Sequence, residues 1–137
     1  MTTQSPKRPS LLRLHLLRFC YLLLAVGLAL QFWPLLFGPI TALPSADATV
    51  VAMLCGLSLV SFLGLIAPLR MLPVQLWEIV WKAIWSLSVA LPKWLAGDVD
   101  ADLLEHLFAV SFAIPFLLIF PWRYFAAELA ANRDRWR

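Results

Sequence analysis

The chain has 137 residues, of which 62% are hydrophobic and 14% charged, with a formal net charge of +3 and a mean hydropathy of +0.83. A soluble domain carries about a quarter charged residues, a nucleic-acid-binding module needs a dense basic face, and a small disulfide-stapled domain needs more than the two cysteines present. Those three classes are excluded, and a small polytopic membrane protein of one domain remains.

A hydrocarbon core of about 30 Å takes roughly 20 apolar residues as helix. Residues 1–10 are polar, with Pro6 and Pro9, and are expected to be disordered; residues 1–18 form a basic cytoplasmic segment holding Lys7, Arg8, Arg13 and Arg18. The stretch 19–46 is free of charge, and Pro39 and Pro44 place the first span at about 19–40. A cleaved leader is the rival reading, because Ala46, Asp47 and Ala48 imitate a cleavage site. The unbroken bulky run over 19–37 exceeds the roughly 7 to 15 residues of a leader's apolar region, so the span is expected to be retained.

The second span is expected at 48–69, with Pro68 and Pro73 bracketing the turn that follows. Small residues on it, Ala52, Gly56, Ser61 and Gly64, match Ala25 and Ala29 of the first span and predict close contact between the two helices, or a homodimer.

The third span, at 74–96, carries Glu78, Lys82 and Lys93 and ends at Gly97. Glu78 and Lys82 lie one helical turn apart. A lone charge at membrane depth costs about 2.5 to 3.5 kcal/mol on insertion scales, so the two should face the bundle or each other. Gln75 and Ser86 extend the same face, giving a polar stripe of Gln75, Glu78, Lys82 and Ser86. The stripe reads either as a relay or as an anchor for a ligand or partner helix. The plainer reading is an ion pair that neutralises itself, with Lys82 snorkelling. Trp77, Trp81 and Trp85 recur every four residues beside it; they are candidate contacts for a ligand or partner, against the plainer reading of packing or lipid contact.

The fourth span, at 103–122, begins with Asp102 and Glu105 in capping-box spacing. Phe108, Phe112, Phe116 and Phe120 read as a packing ridge, and Pro115 should kink the helix. The tail 123–137 is basic and amphipathic, with Phe125, Leu129 and Trp136 on one face. Arg70, Arg123, Arg133 and Arg135 are the expected contacts with an anionic membrane surface. In a four-span arrangement every Lys and Arg at the membrane ends except Lys93 falls on one side, which makes both termini cytoplasmic.

Metal and cofactor chemistry finds little support. His15 and His106 fall on opposite sides, and the Asp98, Asp100, Asp102 series has Leu103 and Ala109 where a calcium loop needs Gly and Glu. Cys20 and Cys55 fall at different depths and read as packing residues. No nucleotide loop, zinc-protease or hydrolase signature occurs, so neither enzyme activity nor a cofactor is expected.

The block PLRMLPVQLWEIVWKAIWSLSVALPKWLAG at 68–97, together with FPWRYF at 120–125, resembles a family of small four-span bacterial inner-membrane proteins with no assigned activity. The resemblance covers about the C-terminal half. It implies a multi-pass protein of the bacterial cytoplasmic membrane and transfers no catalytic residue. The combined expectation is an all-α, four-helix membrane bundle. Its expected role is that of a non-enzymatic accessory or assembly subunit binding a partner helix or lipid through the third span, with a small transporter using Glu78 and Lys82 as the alternative.

Overall fold

The computed structural model describes residues 7–132, and among them all regular structure is helical. Helix α1, Leu11–Phe37, starts well before the apolar run because Ser10 caps it, accepting the backbone N–H of Arg13 at 3.4 Å. Gly38 ends it, where a Cβ would come 2.8 Å from the Pro34 carbonyl oxygen. A short 3₁₀ turn, Ile40–Ala42, leads into α2, Ser45–Ile66.

Helices α1 and α2 pack against each other more extensively than any other pair. Ser58 donates to the Ala25 carbonyl at 2.6 Å, and Gly64 lies directly under the Tyr21 ring, whose hydroxyl donates to the Pro68 carbonyl at 3.1 Å. The buried stripe of α2 is Val51, Cys55, Ser58, Ser61 and Gly64. Ala52 and Gly56, expected at this contact, are exposed instead. They sit one residue further round the helix, and a step of one residue turns a side chain onto a neighbouring face.

Helix α3, Leu72–Trp85, continues through a π-helical turn, Ser86–Ala90, into α4, Leu91–Leu95. Gly97 then turns the chain with a φ of 74°, a conformation that favours glycine. Helix α5, Ala101–Ser111, is capped by Asp100, which accepts the Leu103 N–H at 2.7 Å. The expected cap at Asp102 is therefore corrected: Asp100 is the residue with extended backbone, and Asp102 already lies in the first turn.

Pro115 has no N–H to give to the preceding turn. The helix accordingly breaks at Phe112 and resumes as α6, Ala113–Ile119, followed by α7, Trp122–Ala131. The break also divides the expected phenylalanine ridge. Phe116 and Phe120 are buried, whereas Phe108 and Phe112 are exposed and meet edge to face at 5.4 Å.

The core joins α1, α3 and α6 through Leu17, Tyr21, Leu24, Leu72, Ile79, Phe116 and Phe120. Among the described residues three helices are long and apolar enough to cross a membrane: Leu11–Phe37, Ser45–Ile66 and the kinked Ala101–Ile119. The run from α3 through α4 is helical throughout, but it changes hydrogen-bonding pattern at the π turn and carries Glu78, Lys82 and Lys93.

Candidate functional site

Helix α3 has its polar side inward. Gln75, Glu78 and Lys82 are 1%, 2% and 8% exposed, while Trp77, Val80 and Ile84 on the opposite face are open. Water-soluble helices do the reverse. In an apolar solvent the charges must turn towards protein, and a spacing of three and four residues keeps Gln75, Glu78, Ile79 and Lys82 on the buried face of α3, which packs against α6.

The Glu78 carboxylate is held at both oxygens. Lys82 Nζ lies 2.7 Å from Oε1, and Trp81 Nε1 donates to Oε2 at 2.6 Å. The Lys82 ammonium also stands 5.6 Å from the Trp81 ring centroid and 6.0 Å from that of Phe116, within cation–π range. One acid, one base and two aromatic rings thus form a single neutral cluster linking α3 to α6.

Gln75 does not join it. Its Oε1 and Nε2 are buried and have no hydrogen-bond partner among the described residues. Ser86 is turned to the backbone, donating to the Lys82 carbonyl at 2.8 Å where the π turn begins. The three tryptophans also separate. Trp81 belongs to the cluster, Trp77 is 52% exposed, and Trp85 stacks on His106 of α5 with centroids 5.9 Å apart.

Beside the cluster a cleft of about 340 Å³ opens between α3 with its π turn and the kinked pair α5 and α6. Ala83 and Ser86 form one wall and Ser111, Ala113 and Ile114 the other, with Lys82 among the lining residues. A π turn widens a helix locally, and such turns are frequent at functional sites.

Of the expected membrane-surface residues, Arg70 and Arg123 are exposed, while Arg133 and Arg135 lie outside the described residues, as does Trp136. Arg13 was legible only as an orientation charge. It closes the end of α6, donating from Nε to the Ile119 carbonyl at 2.9 Å and from Nη2 to that of Phe120 at 3.2 Å. No sequence signal links positions so far apart; the unsatisfied carbonyls at a helix end are the only cue that a donor must come from somewhere. No family model, curated protein or solved structure matches the chain.

Proposed function

We propose that this is a four-span protein of the bacterial cytoplasmic membrane, with both termini cytoplasmic, acting as a non-enzymatic accessory or assembly subunit. The cleft beside Lys82 receives a transmembrane helix of a partner. The observation that carries this reading is the cleft's lining, in which small residues stand on both walls: Ala83 and Ser86 face Ser111 and Ala113. Small residues let helix backbones approach closely in lipid, where packing and interhelical hydrogen bonds drive association.

The third span in this reading, which brings the count to four, is the run from α3 through α4. At 1.5 Å per residue it is about 36 Å long, enough for the hydrocarbon core. Its charges support that role because Glu78 and Lys82 neutralise each other inside the protein and Lys93 lies at the far end. Orientation rests on Lys7, Arg8, Arg13, Arg18, Arg70 and Arg123 against Lys93. The bacterial setting rests on the resemblance of residues 68–97 and 120–125.

Native mass spectrometry of the protein extracted in its own lipid tests the reading. A stoichiometric second polypeptide is expected with the unaltered chain and is lost when Ala83→Phe fills the cleft. A second copy of the chain in that place makes the partner itself, and retained lipid alone makes the cleft a lipid site. A bare monomer in both samples removes the reading.

A second reading, proton- or ion-coupled transport, draws on Gln75, whose buried and unpartnered amide lies one turn from Glu78. It requires pH-dependent flux in liposomes that Glu78→Gln abolishes in a folded protein.

A further inference from the structure

At the end of the molecule where α6 stops and α7 begins, a second pocket of about 260 Å³ is lined by Lys7, Arg13, Trp122, Arg123 and Tyr124, with Pro9 and Pro121. It shares no lining residue with the cleft beside Lys82. Among the described residues three cations line it and no acid does. Among the described residues the ion pairs are Glu78 with Lys82, Asp100 with Lys93 and Asp102 with His106, so none of these three cations is matched by a carboxylate there.

Like charges brought together without a counter-charge repel, and an anion sharing the site relieves that repulsion. Arg13 is held in place by the carbonyls of Ile119 and Phe120 through Nε and Nη2. Those bonds leave its other terminal nitrogen, Nη1, free to donate. Trp122 is fixed as well, its Nε1 donating to the Leu117 carbonyl at 3.1 Å. The pocket is thus built on α1 and α7, with Arg13 and Trp122 held by carbonyls of α6 and Lys7 reaching it from the segment before α1.

Its depth indicates the kind of anion. The apolar stretch that ends at Ile119 is long and apolar enough to reach across a bilayer, and the pocket begins two residues later at Pro121. This is the level of lipid headgroups, where Trp and Tyr are enriched and where basic pockets between helices take phosphate-bearing headgroups. We propose that Lys7, Arg13 and Arg123 bind the phosphate of an anionic phospholipid, with Trp122 and Tyr124 against the glycerol and upper acyl chain.

The test is native mass spectrometry of the full chain in neutral detergent, titrated with phosphatidylglycerol and, separately, phosphatidylcholine. The unaltered chain is expected to retain one tightly held phosphatidylglycerol in preference to phosphatidylcholine. The double variant Lys7→Gln/Arg123→Gln is expected to bind it about tenfold more weakly. Both side chains are exposed and neither caps a helix, so thermal unfolding of the double variant serves as the folding check; Arg13 is left intact because it closes α6. Arg18→Gln, an exposed cation outside the pocket, is expected to leave binding unchanged. Equal retention by the double variant, or equal loss in Arg18→Gln, overturns the proposal. One-for-one displacement of the lipid by millimolar inorganic phosphate overturns the lipid assignment and gives the site to a soluble anion.

Discussion

Glu78 and Lys82 stand 2.7 Å apart on consecutive turns of α3, in a setting that leaves them 2% and 8% exposed. Removing one partner strands the other as an unpaired buried charge, at about 3 to 5 kcal/mol, whereas removing both leaves no unpaired charge. Glu78→Gln and Lys82→Met should each lower thermal stability in detergent severely, and the double variant should recover most of the loss. A double variant as unstable as the singles excludes a self-neutralising pair.

Trp81 differs from its neighbours in making a hydrogen bond to an ionised group, the Glu78 carboxylate. Such bonds contribute about 1.5 to 3 kcal/mol. Trp81→Phe should therefore destabilise the protein by about that amount, and Trp77→Phe, on the open face, should be nearly neutral. The comparison of the two melting curves is the measurement; equal effects would mean that the indole N–H is not what matters.

Gly64 and Gly56 separate the two faces of α2. A Cβ at Gly64 overlaps the Tyr21 ring, while at Gly56 it meets nothing within 4 Å. Gly64→Ala should lose about 1 to 3 kcal/mol by overpacking. Gly56→Ala should gain about 0.5 to 1 kcal/mol from reduced backbone freedom. Unfolding in mixed micelles reads both.

At the start of α5 the Leu103 N–H, and more weakly Lys93 at 3.7 Å, hold the Asp100 carboxyl below the ordinary aspartate range. A lowered folded-state value means that the contribution is complete above the unfolded value and disappears as pH falls through the folded one. Asp100→Ala should accordingly lower Tm at pH 7, and the gap from the unaltered protein should close in acid below the ordinary range. A gap that persists there shows that the ionised form is not responsible.

The inward face of α3 was legible because unpaired charges in apolar surroundings are costly, and the spacing of Gln75, Glu78 and Lys82 is a property of sequence alone. The π turn was not. A regular helix would bring Lys93, about three turns beyond Lys82, back beneath it. The wider turn at Ser86–Ala90 rotates Lys93 away, towards Asp100. That turn forms where α5 packs, a contact between segments that local pattern does not encode. The cap was not legible for a similar reason: the spacing to Glu105 points to Asp102, whereas Asp100 takes the role because the choice depends on where the Gly97 turn releases the chain. The division of the three tryptophans followed the same rule: a spacing of four placed them near one another, and only the packing of α5 gave Trp85 its stack on His106.

Arg13 and the Ile119 carbonyl it closes on are 106 positions apart. At a synthesis rate of 5 to 20 residues per second, the arginine waits roughly 5 to 20 s for its acceptor to be made. During that interval α1 and α2 are complete and can pair, while the basic first turn has only water and headgroups as company. The contact between α1 and the end of α6 therefore forms after α1 and α2 can pair, and a chain stalled before α6 would leave that arginine without the carbonyls that hold it.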